Sequence, residues 1–254
     1  MRHLYDDDFF AYISQGSQRS ASAVCDVLTP LFDGTASVLD VGCGQGVWTR
    51  EFLDREGVSE AIGIDGDYVN RARLAIPEAV FVAHDLTRPL DLGRRFTLAL
   101  SLEVGEHLPP DAGPTLVGTL VRHSDIVMFS AAIPGQGGES HVNERPLSYW
   151  RAEFARHGYV PVDAVRPKLV NRGEVEPWYR YNILLYVAEP RADEVARRLG
   201  AAPLAKDTEI TSPAPFLWRL RCAFLRLLPV SAVTWLARRK HAWIRRRFVA
   251  GAKG

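Results

Sequence analysis

Cysteine is scarce in this sequence: Cys25, Cys43 and Cys222 are its three cysteines, and no two of them have C-x-x-C spacing. An odd, scattered set argues against a disulfide framework or a zinc site and favours a reducing compartment. A basic leader with a long apolar run is also missing, because the first ten residues, MRHLYDDDFF, are acidic. We therefore predict no export signal and a cytoplasmic location.

Acidic residues are missing from the C-terminal part of the chain. From Thr211 onward there are ten Lys or Arg residues and no Asp or Glu. Residues 1–210 therefore carry 21 bases and 30 acids, a net charge of −9. Long hydrophobic runs are missing there too, since the longest stretch without Lys, Arg or His, LLPVSAVTWLA, has 11 residues. About 20 apolar residues are needed to span a bilayer.

Residues 211–254, which we call the basic tail, mix leucine and tryptophan with arginine. Such a mixture suits helices that lie in a membrane interface, with Pro229 separating two of them. This favours peripheral contact with the inner face of the membrane or with a lipid-linked substrate. One alternative is a helical hairpin packed on the preceding domain or on a partner chain. Nucleic acid is a less favoured partner, because no RNA-reading module is visible.

The chain of 254 residues, 47% hydrophobic and 24% charged, is long enough for one large domain with an appendage. Helical spacing of apolar residues occurs at 9–32, 46–57, 68–76, 110–124 and 146–158. Strand patterns occur at 37–42, 60–67, 79–86, 95–104, 125–133, 159–167 and 181–189, and 168–180 is predicted to be a loop. Strands that alternate with helices predict an α/β fold built from parallel βαβ units.

Three glycines, Gly42, Gly44 and Gly46, follow the first strand in the run DVGCGQG. This is neither the G-x-G-x-x-G of dinucleotide-binding folds nor a phosphate loop, which would carry Lys and Ser or Thr. A ligand without phosphates still needs room for its approach and a helix N-terminus for a carboxylate. The turn therefore favours a ligand such as S-adenosylmethionine. The alternative is a turn that serves only tight packing of strand and helix.

Polar residues also end the next strands. Asp65, followed by Gly66, can accept hydrogen bonds from two ribose hydroxyls, and Asp85, followed by Leu86, can accept one from an adenine amino group. Ser101 ends the fourth strand. The carboxyl ends of parallel strands form the edge where open α/β sheets bind ligands, so we expect these residues to line one crevice.

The segments VLDVGCGQG, GIDGD, AHDL and LSLEVGEHLP resemble, in order, the motifs of class I S-adenosylmethionine-dependent methyltransferases, over about residues 10–190. The resemblance implies a Rossmann-like, doubly wound sheet of seven strands with the last strand antiparallel. It implies a helical lid at 1–35, a catalytic domain at 36–190 and a helical basic extension at 191–254. The implied cofactor contacts are Asp40, Gly42, Gly44 and Gly46 around the methionine part, Asp65 on the ribose and Asp85 on the adenine, with Cys43, Gly66, Leu86 and Ser101 as further cofactor-binding residues.

A cluster of ligand-type residues follows the fourth strand. Glu103, Glu106 and His107 share one face if a helical turn starts there, and His141, after the fifth strand, can reach them across the sheet edge. Two carboxylates and two imidazoles suit Mg²⁺ or Mn²⁺. The pattern E-x-x-E-H with a later His resembles the metal site of small-RNA 2′-O-methyltransferases and is similar to an acidic cluster of quinone-biosynthesis O-methyltransferases. Without a metal, Glu103 would contact the cofactor, and His107 or His141 would be the general base.

The segments HVNERPLSYW and WYRYNILLYV resemble bacterial methyltransferases of glycan and secondary-metabolite pathways. They imply an O-methyltransferase that acts on a hydroxyl of a small polar acceptor, such as a sugar, a polyol or a secondary metabolite. The aromatic residues Trp178, Tyr179 and Tyr181 either stack on a sugar ring or cover the core. The remaining alternatives are RNA 2′-O-methylation and a non-catalytic cofactor-binding protein or membrane-tethered scaffold.

Overall fold

The computed structural model describes residues 7–229 and 231–239, with side chains from residue 16 onward. The helices are α1 (Asp7–Leu28), α2 (Val47–Leu53), α3 (Gly113–His123), α4 (Leu147–Ala155), α5 (Arg166–Leu169), α6 (Pro177–Asn182), α7 (Ala192–Arg198) and α8 (Phe216–Leu225). Residues 231–239 are helical as well. The strands are β1 (Ala36–Val41), β2 (Val58–Asp65), β3 (Phe81–Ala83), β4 (Leu98–Leu102), β5 (Ile126–Ser130), β6 (Tyr159–Val162) and β7 (Leu184–Ala188).

The strands form one sheet in the order β3-β2-β1-β4-β5-β7-β6. The pairs among β1 to β5 are parallel, whereas β7 runs antiparallel to both of its neighbours, β5 and β6. The predicted seven-stranded sheet with an antiparallel last strand is thus confirmed. The strand order changes direction between β1 and β4, and open α/β sheets bind ligands at the carboxyl edge beside such a switch point.

Both faces of the sheet are covered, so every residue of the central strands β4 and β5 is buried, as parallel sheets require. One face packs against α1, α2 and α7, through side chains that include Val24, Leu28, Phe52 and Val195. The other face packs against α3 and α4, through Leu116, Leu120, Trp150 and Phe154. The predicted lid role of 1–35 stays a prediction, and residues 1–6 lie outside the described residues.

Two sequence-based predictions of local structure are wrong. The helix expected at 68–76 is a single 3₁₀ turn, Arg71–Arg73, because the Asn70 side chain accepts the N–H of Ala72 and the N–H of Ala75 turns away to the carbonyl of Gln45. The loop expected at 168–180 contains the second half of α5 and most of α6, and α6 begins at a proline.

The aromatic residues of α6 cover the core. Tyr179 and Tyr181 are buried, with ring centroids 5.0 Å from Trp48 and 5.7 Å from Trp218 respectively. Of the two roles considered for this aromatic group, the two tyrosines take the structural one.

The basic tail contains α8, which packs on the preceding part of the chain. Besides the Trp218 contact, Arg221 Nη1 donates to the carbonyl of Gln136 over 2.9 Å. Pro229 lies between α8 and the helical residues 231–239, as predicted. In the ranges 7–229 and 231–239 no helix is both long and apolar enough to cross a bilayer. Residues 230 and 240–254 of the predicted tail lie outside the described residues.

The glycine turn is tied to the sheet by Asp40, at the end of β1. Its carboxylate accepts a 2.7 Å hydrogen bond from Thr49 Oγ1 in the first turn of α2. Asp40 is only 3% exposed, and this burial, opposed by the Thr49 hydrogen bond, raises its pKa to about 7. The turn itself needs glycine, because Gly42, Gly44 and Gly46 all have positive φ, between 56° and 88°.

The raised pKa of Asp40 predicts a pH-dependent stability. In the unfolded chain its pKa returns to about 4, so between pH 4 and 7 the folded state binds more protons and becomes less stable as pH rises. Asp40→Asn removes this dependence and keeps an acceptor for Thr49. Relative to wild type, we expect the unfolding free energy of the variant to rise by up to about 1.4 kcal/mol for each unit of pH between about pH 5 and pH 7. Urea denaturation at several pH values measures this, and a pH-independent difference would contradict it.

Candidate active site

A cleft of about 720 Å³ opens at the carboxyl edge of β1, β2, β3 and β4. The predicted site residues that line it are Gly42, Asp65, Gly66, Asp85, Leu86, Glu103 and His107. They come from four separate strand ends, so the parallel sheet brings together residues up to 65 positions apart in the chain. The cleft is therefore the crevice that the sequence predicts.

Asp65, at the end of β2, is 4% exposed and joins several parts of the cleft. Its Oδ2 accepts the N–H of Gly44 over 2.7 Å, and its Oδ1 accepts the N–H of Gly66 over 2.6 Å. Oδ1 also accepts the hydroxyl of Tyr68 over 2.5 Å. A ribose hydroxyl that reaches Oδ1 would share this oxygen with the Tyr68 hydroxyl or replace it. Sequence reasoning missed Tyr68, which only the fold brings over the carboxylate.

Asp85 follows β3 and forms a local turn. Its Oδ1 accepts both the N–H and the hydroxyl of Thr87, at 3.0 and 2.7 Å. These hydrogen bonds hold the pKa of the Asp85 carboxyl below its usual range, so it is ionised near neutral pH. Leu86, next in the chain, adds apolar surface to the same wall of the cleft.

Three of the predicted cofactor contacts have their side chains in the interior instead of the cleft. The Asp40 carboxylate is bonded to Thr49, Cys43 packs with Val69 and Ile76, and Ser101 is fully buried in β4. Asp40 and Cys43 support the glycine turn from below, and none of the three residues is among those that line the cleft. Their predicted contact with the cofactor stays a prediction.

Glu106, His107 and His141 form a compact group whose potential ligand atoms all lie within 4.8 Å of one another. The two imidazole rings are 4.9 Å apart and nearly perpendicular, at 88°. Glu106 is fully buried, and neither of its carboxylate oxygens has a well-formed hydrogen bond, although the backbone N–H of Ala132 and the carboxyl of Glu103 lie near enough to act on its pKa. Burial and the neighbouring carboxyl of Glu103 raise the pKa of Glu106 well above its usual range. A buried carboxylate without partners is costly unless a cation or a proton compensates it.

Glu103, the fourth predicted ligand, stands outside this group. Its φ of 56° is left-handed, and the turn that closes with the bond from the N–H of His107 to the carbonyl of Val104 begins only after it. The shared helical face expected for Glu103 and its neighbours is therefore wrong. Glu103 Oε2 instead accepts the Gln136 side chain over 2.7 Å, and Gln136 in turn accepts Asn182 over 2.7 Å.

Backbone hydrogen bonds bring His141 to the turn after β4. The N–H groups of Val142 and Asn143 both donate to the carbonyl of Glu106, at 2.9 and 3.0 Å. The Asn143 side chain donates to the carbonyl of Gly105 over 3.1 Å. The loop after β5 is thus held against the turn after β4, and His141 is placed beside Glu106.

Glu144 orients the His141 ring. The carboxylate of Glu144 lies 2.9 Å from His141 Nδ1 and also accepts the N–H groups of Gly135 and Gly137, at 2.7 and 2.8 Å. Although burial works against it, these hydrogen bonds hold the pKa of Glu144 below its usual range. An ionised Glu144 fixes the proton on Nδ1 and leaves Nε2 as the nitrogen able to bind a cation, as in many metal sites. The H-x-x-E spacing was the only signal of this role in the sequence.

A second cavity, of about 180 Å³, lies on the other side of the histidines. His141 and Glu144 line it from the loop after β5, and Leu225, Arg226 and Val233 line it from the basic tail. His107 lines the large cleft. The group of Glu106 and the two histidines thus separates a nucleoside-sized cleft from a smaller cavity closed by the tail.

A family model described as methyltransferase domain matches residues 14–162. The curated dTDP-3-amino-3,4,6-trideoxy-alpha-D-glucopyranose N,N-dimethyltransferase of Streptomyces venezuelae is 28% identical over 159 residues, which are 61% of each chain. The dTDP-3-amino-3,6-dideoxy-alpha-D-glucopyranose N,N-dimethyltransferase of Streptomyces fradiae is 40% identical over 62 residues, 24% of each chain. The match spans less than two thirds of the length of either relative.

Solved structures share the fold at low identity. DesVI of Streptomyces venezuelae gives a TM-score of 0.52 at 16% identity, covering 70% of this chain and 95% of that one. A sugar N-methyltransferase from Streptoalloteichus sp gives a TM-score of 0.50 at 17% identity, covering 74% and 96%. Since the family model spans more than half of the chain, the protein belongs to the methyltransferase-domain family, as the resemblance of its motifs to class I S-adenosylmethionine-dependent methyltransferases predicted.

Proposed function

We propose that the protein is an S-adenosylmethionine-dependent O-methyltransferase that acts on a hydroxyl of a sugar or similar polyol, with a divalent cation held by Glu106, His107 and His141. The observation that carries this proposal is the fully buried carboxylate of Glu106, which lacks a well-formed hydrogen bond, beside two imidazoles. A carboxylate with two histidines is a donor set that suits Mn²⁺, Fe²⁺ or Zn²⁺ better than Mg²⁺, which prefers oxygen ligands.

The residues of the large cleft fit the cofactor. Asp65 offers carboxylate oxygens to ribose hydroxyls, and Leu86 provides apolar contact for a purine. The oxygen of Asp85 that Thr87 does not use lies 3.5 Å from Arg88 Nε and can also accept from an amino group. A side chain at Gly42 would overlap Val104, so this glycine serves packing, whereas a Cβ at Gly44 would meet no heavy atom within 4 Å and the backbone there is open to a ligand. S-adenosylmethionine supplies a methyl group already activated on sulfur.

The chain's own task is then to hold an acceptor oxygen and to ease the loss of its proton. A cation beside His141 would lower the pKa of an acceptor hydroxyl as a Lewis acid. In this proposal the acceptor enters through the second cavity, which His141 lines, and the cofactor occupies the large cleft, which His107 lines. Two adjacent hydroxyls, as in a sugar or polyol, could both reach such a cation.

N-methylation of an amino sugar is the second candidate, because the curated relatives are N,N-dimethyltransferases of dTDP-linked amino sugars. An amine needs only a base to become a nucleophile. The pair of His141 and Glu144 would supply that base without a cation. An RNA 2′-hydroxyl would use the same cation as a sugar hydroxyl and is included among the acceptors to be assayed.

The cofactor assignment predicts micromolar binding of S-adenosylhomocysteine, about −8 kcal/mol, and no binding of a nicotinamide dinucleotide. Asp65→Ala should weaken this binding by about 10- to 100-fold, since charge-assisted hydrogen bonds contribute about 1.5–3 kcal/mol. Asp85→Ala, at a half-exposed position, should weaken it less. Isothermal titration calorimetry measures both, with Asp54→Ala, at the exposed position directly after α2, as the control. Unchanged affinity in the Asp65 and Asp85 variants would disprove the assignment.

The cation assignment predicts that wild-type protein binds one Mn²⁺, which electron paramagnetic resonance can count without any acceptor. Glu106→Gln and His141→Ala should weaken Mn²⁺ binding by about 100-fold or more, and Glu144→Gln, which only loses the orientation of His141, by about 10- to 100-fold. His157→Ala, at an exposed position away from both cavities, is the matched control.

The acceptor class is tested by methyl transfer to nucleotide sugars that carry either hydroxyls or an amino group, and to RNA. For a hydroxyl acceptor, a chelator should abolish transfer and leave S-adenosylhomocysteine binding intact, and Mg²⁺ or Mn²⁺ should restore it. Full activity in excess chelator, with transfer only to the amino sugar, would replace O-methylation by the second candidate.

A further inference from the structure

The outward face of α8 carries a stripe of large apolar side chains. Phe216, Leu217, Leu220 and Phe224 on α8, together with Leu227 just after its end, are called the outer stripe and are between 54% and 81% exposed. At 100° per residue the four on α8 fall within an arc of about 100° on one side of the helix. Large apolar side chains that are exposed singly are ordinary, whereas four on one helical face mark an interaction surface.

The outer stripe is not an unpacked core face. The opposite side of α8 is already packed on the catalytic domain: Cys222 and Leu225 are buried, and Trp218 contacts Tyr181. Arg221 fixes the helix further by its hydrogen bond to the carbonyl of Gln136. The helix therefore has two apolar faces, and only the inner one has a partner among the described residues.

The charged residues of the basic tail, which contains the outer stripe, are all Lys or Arg. Arg219 on α8 and Arg226 directly after it are exposed, and no Asp or Glu occurs from Thr211 to the last residue. The helical residues 231–239 repeat the combination, with Trp235 54% and Leu236 40% exposed and the guanidinium of Arg239 4.9 Å from the Trp235 ring.

We propose that the outer stripe docks α8 in the interface of an anionic lipid bilayer, with Trp235 and Leu236 as additional contacts. Exposed Leu, Phe and Trp bordered by arginines suit a helix that lies in the headgroup region, where aromatic rings and cations are both favoured. The bilayer supplies negative charge along the whole stripe. A second copy of the chain fits less well, because a two-fold interface would place the arginines of one tail against those of the other.

Docking of this kind does not depend on the proposed reaction. It would, however, fix the position of the second cavity relative to the bilayer surface. Leu225 and Arg226, which line that cavity, belong to the same helical segment as the outer stripe. A bilayer at the outer stripe is thus one helix diameter, about 10 Å, from the cavity. An acceptor presented at a lipid surface would reach His141 from that side.

The test is flotation of the full-length protein with phosphatidylglycerol–phosphatidylcholine vesicles and with phosphatidylcholine vesicles. We expect binding to the anionic vesicles, release at about 0.5 M salt, where exposed charges are screened, and at least tenfold less binding to the neutral ones. The triple variant Leu217→Ser/Leu220→Ser/Phe224→Ser should lower the bound fraction at least tenfold. Its changes are at exposed positions, and unchanged S-adenosylhomocysteine binding verifies its fold.

Two control variants should leave flotation unchanged. Val82→Ser changes an exposed apolar position on β3, and Arg197→Gln changes an exposed arginine on α7. Equal flotation of the triple variant and wild type, or no flotation of wild type, would overturn the proposal. A wild-type dimer that the triple variant dissociates, without vesicle binding, would assign the stripe to a second copy. Methyl transfer to a soluble acceptor is measured separately, so failure of the proposed function remains distinguishable.

Discussion

The candidate site depends on one backbone carbonyl, that of Glu106. It accepts the N–H groups of Val142 and Asn143 and so joins the loops that follow two adjacent parallel strands, β4 and β5. Without this junction, His141 would have no fixed position relative to the buried Glu106 carboxylate. Backbone polar groups in a protein interior must form hydrogen bonds. Here the hydrogen bonds that meet this requirement also set the position of His141 relative to Glu106.

The junction also explains why the group of Glu106 and two histidines separates two cavities. The turn after β4 faces the cleft beneath the glycine turn, and the loop after β5 faces α8. Each loop contributes one histidine to its own side. The side that faces the cleft is built from strand ends and carries fixed acids such as Asp65. The other side is built from loop and tail, so the chemistry of its walls comes from residues distant in sequence.

The sequence was sufficient to predict the sheet and the acids at strand ends, because both depend on local patterns. Buried apolar runs predict parallel strands, and a residue directly after such a strand, such as Asp65 or Asp85, must lie at the carboxyl edge. The position of Glu103 was not predictable. The prediction that it shares a helical face with Glu106 and His107 assumed helical spacing, and the left-handed φ of Glu103 breaks that spacing. The link through Gln136 to Asn182 joins positions far apart in the chain, and no local pattern signals it.

The backbone of α8 lies directly against the loop that bears His141. This contact requires glycine at position 135, because a Cβ there would overlap the carbonyl oxygen of Cys222. Under the proposed function, the half of the protein that would hold the cofactor is complete without this helix, whereas the wall of the smaller cavity is not. Substitutions in the tail would then change which acceptor is methylated and leave the cofactor half unchanged.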